Sequence, residues 1–299
     1  LITGASTGIG FALAQVLAQQ CPGIRLILSA RRQDRLENIA QICHQQGAQV
    51  HLIAADLAQI AEVQALGQAA WAVWGRVDAL VNNAGYGQMG PLELMTPEMA
   101  QHQFAVNFHA PLILTQAMIA GMRSQKGGRI INVSSLGGRM AFPGGGLYSC
   151  SKFALEAMSD VLRMELKGFN IFVSVIEPGP VITEFFDVVR RSLQSEFPQA
   201  EASLYAPVFE KLETVDRQLN RLGWSAEQSA KVILKALSDG KPRPRYLAAT
   251  GGSIVVPLLT HWLPTPWCDR FWKKFYGIDR VEQNWKTHTQ SPAFSVESP

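Results

Sequence analysis

Short apolar runs alternate with longer stretches whose apolar positions recur every three to four residues. The runs at 24–30, 50–54, 77–81, 129–135, 171–176 and 245–248 read as strands, and Leu1-Ile2 as the end of an earlier one. Helical spacing occupies 11–20, 32–46, 60–74, 97–123, 150–167 and 225–238, with a break expected near Pro111. Glu177-Pro178-Gly179-Pro180 stops the sixth run. Strands and helices in strict alternation predict a parallel α/β architecture rather than an antiparallel sandwich. Right-handed crossovers then place helices on both faces of an open, doubly wound sheet. In such a sheet ligands gather beyond the strand C-termini.

Composition narrows the picture. The 299 residues are 47% hydrophobic, enough for one large core or a core with an added lobe. A net charge of +3 without a long Lys/Arg block argues against nucleic acid as a partner. Cys21, Cys43, Cys150 and Cys268 show no metal-ligand spacing, and the six histidines are scattered, so no metal site is expected. The sparse thiols suit a reducing, cytoplasmic compartment. Leu1 reads as mid-strand, so several residues are expected before it. No uninterrupted apolar run reaches the roughly 18 residues of a membrane span.

The first turn carries the clearest chemistry. Thr3-Gly4-Ala5-Ser6-Thr7-Gly8-Ile9-Gly10 follows a strand and opens a helix. Glycine permits a left-handed turn and lets a phosphate approach the backbone. The helix start then offers unpaired N–H groups to a pyrophosphate. A Lys-Ser or Lys-Thr ending, which a nucleoside-triphosphate loop would need, is absent. After the second strand stand Arg31 and Arg32, where an acid would favour the ribose diol of NAD. Their guanidinium forks fit the extra phosphate of NADP(H), with NAD(H) as the alternative. Asp56 can accept a hydrogen bond from adenine while Leu57 packs nearby. Asn82-Asn83-Ala84-Gly85 ends the fourth strand with small residues that allow close backbone passage.

A proton donor and a cation stand four residues apart in Tyr148-Ser149-Cys150-Ser151-Lys152. On a helix they share a face. A phenol near its ordinary pKa of about 10 needs help to act as a base. The Lys152 charge favours tyrosinate, and Ser135 can polarise a substrate oxygen. Taken singly, Tyr148 could be packing, Lys152 solvated, Ser135 a strand-end cap and Asn107 a helix kink.

Together these motifs resemble the classical short-chain dehydrogenase/reductase family, across nearly all of residues 1–183. The likeness extends to the 17β-hydroxysteroid-dehydrogenase-like and lipid-carbonyl reductase group. It implies a Rossmann-like sheet, catalysis by Asn107, Ser135, Tyr148 and Lys152, and a lysine that also bonds the cofactor ribose. Asn107 matches the residue that keeps a water chain in contact with the lysine. It also implies cofactor contacts from Gly4, Ser6, Gly8, Ile9, Gly10, Asn83, Ala84 and Gly85. Pro178, Gly179, Val181 and Thr183 match the loop beside the nicotinamide. Association as a homodimer or homotetramer through long helices is a further implication.

Substrate identity rests on less diagnostic segments. Leu92, Leu94, Met95, Met140, Phe142, Phe185, Phe186 and Val189 favour an apolar pocket for a hydrophobic ketone, aldehyde or alcohol. The polar helical insertion at 184–222 is expected to form a small substrate-binding lobe on a single domain spanning 1–250. The extension at 251–299 carries Trp262, Trp267, Phe271, Trp272, Phe275 and Tyr276 among Arg270, Lys273 and Lys274. It could be a lid, core packing, or a peripheral membrane contact. Residues 288–299 read as a flexible end. The competing functions are a noncatalytic NADP(H)-sensing or interaction protein, a lipid-metabolising relative using NAD(H), and an epimerase- or dehydratase-like enzyme.

Overall fold

A computed structural model describes residues 1–219 and 223–289, so part of the insertion and most of the expected flexible end lie outside the described residues. The chain runs through β1 (Ile2–Thr3), α1 (Gly8–Gln20), β2 (Arg25–Ala30), α2 (Gln33–Gln45), β3 (Gln49–Ala54), α3 (Ile60–Trp74) and β4 (Ala79–Asn82). It continues with α4 (Pro97–Phe104), a π-helical turn (Ala105–His109), α5 (Ala110–Ser124), β5 (Gly128–Val133), α6 (Gly146–Leu166) and β6 (Ile171–Pro178). After β7 (Val181–Ile182) the insertion holds α7 (Phe185–Glu196) and α8 (Ala206–Leu219), and β8 (Trp224–Ser225) follows it. Then come α9 (Ala226–Ser238), β9 (Arg245–Ala248), α10 (Gly252–Pro257), a second π turn (Leu258–Trp262), α11 (Thr265–Tyr276) and α12 (Ile278–Thr289).

Seven parallel strands form one sheet in the order β3-β2-β1-β4-β5-β6-β9, the doubly wound arrangement that the alternation predicts. Strand periodicity feeds both faces. Leu26 and Leu28 of β2 join one core with α1, α2 and α9, while Ile27 between them joins the other with α3, α5 and α6. Ile131 and Val133 of β5 divide from Ile130 in the same way. The order reverses between β1 and β4, which opens a crevice at their C-terminal ends.

Local chemistry refines several expected boundaries. In place of the break expected near Pro111 there is a π turn, Ala105–His109, within a helix that continues from α4 into α5, and Pro111 follows directly on that turn. Helix α6 begins at Gly146 rather than 150, so Tyr148 is already helical. Strand β6 runs on through Pro178, which pairs with Ala248 of the edge strand β9. Helix α9 starts where expected because Ser225 and Gln228 form a capping box.

The stretch Pro97–Ser124 is 28 residues long and, by length and composition, apolar enough to cross a membrane. Counting uninterrupted apolar runs missed it, because its polar residues are spaced along the helix. One side of it is a packing face. Trp71 of α3 donates its Nε1–H to the Ala117 carbonyl at 3.1 Å. A Cβ at Gly121 would lie 2.2 Å from the Trp71 ring.

Candidate active site

The glycine turn is built for close approach. Gly4 and Gly8 have φ of +65° and +57°, conformations that L side chains rarely adopt. A Cβ at Gly10 would lie 2.4 Å from the Gly4 carbonyl oxygen, so α1 starts tight against the turn. Thr7 caps α1 without a side-chain hydrogen bond, leaving the first-turn N–H groups available to a ligand. Ser6 lies in the turn, and Ile9 in the first turn of α1 packs on the core.

Asn83 holds this turn in place. Its Nδ2 donates to the carbonyls of Thr3 at 2.9 Å and Gly4 at 3.2 Å. The Thr3 hydroxyl in return accepts from the Asn83 and Ala84 N–H groups, each at 3.1 Å. Ala84 lies close enough that a Cβ on Gly4 would meet its Cα at 2.8 Å. Asp56 lies past the end of β3 rather than within it and accepts from the Ala58 N–H at 3.1 Å. Leu57 is buried in the core beside Ala84.

Arg31 and Arg32 are exposed between β2 and α2, on the same rim as the glycine turn. Two residues that sequence reasoning missed join them. Arg35, in the first turn of α2, donates to both Glu184 carboxylate oxygens at 2.8 and 2.9 Å. Arg32 stands 3.9 Å from the same carboxylate. The pairing spans 149 residues in sequence, so no local pattern could reveal it. The segment reaching Glu184 begins with Pro178 paired to β9 and Gly179 bonded to Ala248. Val181 pairs with Trp224 in a separate two-stranded sheet. Thr183 then rests on Gly8, with its Cγ2 3.3 Å from where a Cβ would be.

The reactive residues converge at the far end of the crevice. Tyr148 is buried in the first turn of α6, with Ser135 beside it across Gly137. Burial pushes the phenol up to about 12, partly offset by the nearby Ser135 hydroxyl. Lys152 is also buried, with Nζ 5.9 Å from the Tyr148 ring centroid and donating to the Val133 carbonyl at 2.8 Å. Burial pulls the ammonium down to about 8, and the Glu156 carboxylate one turn on opposes that shift. Ser135 caps a short 3-10 turn by accepting from the Gly137 N–H at 3.0 Å.

Asn107 lies inside the π turn, a backbone irregularity that rotates one residue inward. Its Nδ2 donates to the Tyr86 carbonyl and the Ser151 hydroxyl, each at 3.0 Å, while its Oδ1 accepts from the Tyr86 N–H at 3.2 Å. Asn107 and Lys152 both flank Gly85, where a Cβ would lie 3.2 Å from Nζ and 3.3 Å from Oδ1. The kink and the inward amide are therefore one feature.

An apolar cluster covers Tyr148. Met89, Val189, Leu193 and Phe209 are buried with it, and Phe142 and Phe185 pack against them. The Phe185 ring lies 5.8 Å from the Tyr148 ring. Met140 and Phe186 stand outside that cluster, although Phe186 packs edge-on against Phe185. A cavity of about 200 Å³ opens beside it, lined by Leu92, Phe142, Tyr205, Val208 and Ile278. The C-terminal helices wall this side: Phe142 stacks on Tyr276 at 5.4 Å. Trp262, Trp267 and Phe271 face outward instead.

The glycine cradle, the uncapped helix start and the exposed arginines fit a dinucleotide. A protein-family comparison agrees: the short chain dehydrogenase family matches residues 1–194. The 3-ketodihydrosphingosine reductase of Bacteroides thetaiotaomicron is 31% identical, over 93% of this chain and 97% of the relative. Human retinol dehydrogenase 8 is 31% identical, over 81% of this chain and 78% of its own length. Among solved structures, a metagenomic short-chain oxidoreductase in complex with NADP superposes with a TM-score of 0.66 at 28% identity, covering 83% of this chain and 95% of that one.

Proposed function

The chain belongs to the short-chain dehydrogenase family, and from that membership we propose an NADP(H)-dependent oxidoreductase that interconverts a hydrophobic ketone or aldehyde and its alcohol. The observation that carries the reading is the buried Tyr148 phenol, near Ser135 and Lys152, under an apolar roof at the end of a glycine-lined crevice. The nicotinamide, when bound, supplies the hydride to the carbonyl carbon. Ser135 orients and polarises the substrate oxygen. Tyr148 delivers its proton to that oxygen, leaving the alcohol, and takes it back in the reverse direction. Lys152, an ammonium below about pH 8, stabilises the tyrosinate that results. Asn107 positions Tyr86 and Ser151 behind the lysine and bears the water contact to it.

Gly4, Gly8 and Gly10 would give a pyrophosphate its approach, and Pro178, Gly179, Val181 and Thr183 would border the nicotinamide. The two exposed cations Arg31 and Arg32 support NADP(H) over NAD(H), because a diol offers them no charge to pair with. The aromatic and aliphatic roof favours a largely hydrocarbon substrate, and the two curated relatives are named for 3-ketodihydrosphingosine and for retinol. Exposed Phe153, Val161 and Met164 on α6 support a homodimer or homotetramer built through that helix. The outward Trp262, Trp267 and Phe271 support contact with a membrane surface through the C-terminal segment.

The test is Tyr148→Phe. Turnover of hydrophobic ketones with NADPH should fall by at least a hundredfold, while NADPH binding followed by fluorescence stays within about threefold of the parent. Turnover close to the parent rate would remove Tyr148 from the mechanism.

A further inference from the structure

Glu184 stands at a junction. It is the last residue before α7, between Thr183, which rests on Gly8, and Phe185, which packs on the Tyr148 ring. Its carboxylate takes two hydrogen bonds from Arg35 and lies 3.9 Å from Arg32. The same segment therefore touches the glycine turn, the reactive tyrosine and the arginine cluster. The anion lies where the cations after β2 would meet a phosphate on the adenosine ribose.

We propose that Glu184 is a specificity-determining residue for the adenosine end of the cofactor: it holds the guanidinium groups that a 2′-phosphate requires and so tempers the preference for phosphorylated dinucleotides. The inference rests on the NADP(H) reading of Arg31 and Arg32. A 2′-phosphate reaching Arg32 meets a fixed negative charge within about one side-chain length. Arg35 neutralises that charge only while the pair is closed. A bare ribose diol carries no charge for Glu184 to repel and can only donate hydrogen bonds to it. The acid thus opposes one cofactor and not the other, which separates it from a residue that merely braces the loop.

Calorimetric titration with 2′,5′-ADP and with 5′-AMP tests this on the full chain. Glu184→Gln should bind 2′,5′-ADP about fivefold more tightly, the effect of removing a charge that stands roughly 4 Å from the phosphate in a water-like dielectric, with 5′-AMP bound no more tightly than by the parent. The gain should shrink as salt is raised. Arg35→Gln frees the carboxylate to engage Arg32, so 2′,5′-ADP should bind more weakly than to the parent. The double variant should return near the parent value, which a cycle of the four proteins reads directly. An unchanged 2′,5′-ADP affinity in Glu184→Gln, or an equal change for both nucleotides, overturns the proposal. If the parent binds both nucleotides equally while Glu184→Gln prefers 2′,5′-ADP, the NADP(H) reading falls and the role of Glu184 stands.

Discussion

Replacing Lys152 with Met should stabilise the fold while abolishing turnover, and the gain should depend on pH in a defined direction. Burial lowers the ammonium from 10.5 to about 8. At ~1.4 kcal/mol per unit, holding the charge in the folded state at neutral pH costs roughly 3 kcal/mol. The sign follows from proton counting. The unfolded lysine binds a proton up to 10.5 and the folded one only to about 8. Between those values the unfolded state holds more protons, so stability rises with pH across that window. Methionine removes the charge and keeps the apolar stem. It also leaves the Val133 carbonyl without the Nζ donor, a loss of about 1 kcal/mol. The net gain at pH 7 is then roughly 2 kcal/mol, and it should vanish or reverse slightly by pH 10.5. Urea unfolding of both proteins at pH 7 and pH 10 reads this from the midpoints, provided the slopes agree. A variant less stable than the parent at pH 7, or a gap that ignores pH, would refute the reasoning.

Two further outcomes follow from the geometry. Asn83→Ala strands the Thr3 and Gly4 carbonyls, so unfolding stability should fall by about 1–3 kcal/mol and dinucleotide binding should weaken as the glycine turn loosens; unchanged values in thermal unfolding and NADPH titration would show that other contacts hold the turn. Trp267→Ser with Phe271→Ser should abolish co-sedimentation with anionic lipid vesicles while leaving turnover of a soluble ketone intact, and equal sedimentation of parent and variant would remove the membrane contact.

The fold was legible because each layer has its own period. Leu26, Ile27 and Leu28 alternate between two cores, and the helices repeat their apolar face every turn. The glycine turn and the Tyr148–Lys152 spacing were legible because backbone conformation and helical geometry fix them locally. Arg35 and Glu184 were not, since their ion pair joins the second helix to the substrate insertion and depends on how the chain closes. The π turn at Asn107 was read as a break about one turn away at Pro111, because proline is a visible punctuator and an inserted backbone residue has no side-chain signature. Tyr86 was missed for a related reason: Asn107 grips its main chain, which any residue type would offer.

The two shifts at the reactive centre favour one protonation pattern at rest. Burial drives the phenol up to about 12 and the ammonium down to about 8. At neutral pH Tyr148 is therefore a neutral acid and Lys152 a cation. That is the state needed to give a proton to a carbonyl oxygen as hydride arrives at its carbon. Alcohol oxidation starts from the opposite state and must first ionise a phenol whose proton is held well above the pH of the medium. The apolar roof of Met89, Val189, Leu193 and Phe209 clusters with the Tyr148 phenol that burial raises, and the same roof suits a hydrocarbon substrate. Substrate selection and proton poise thus share a physical origin, and a polar substitution in that roof would disturb both together.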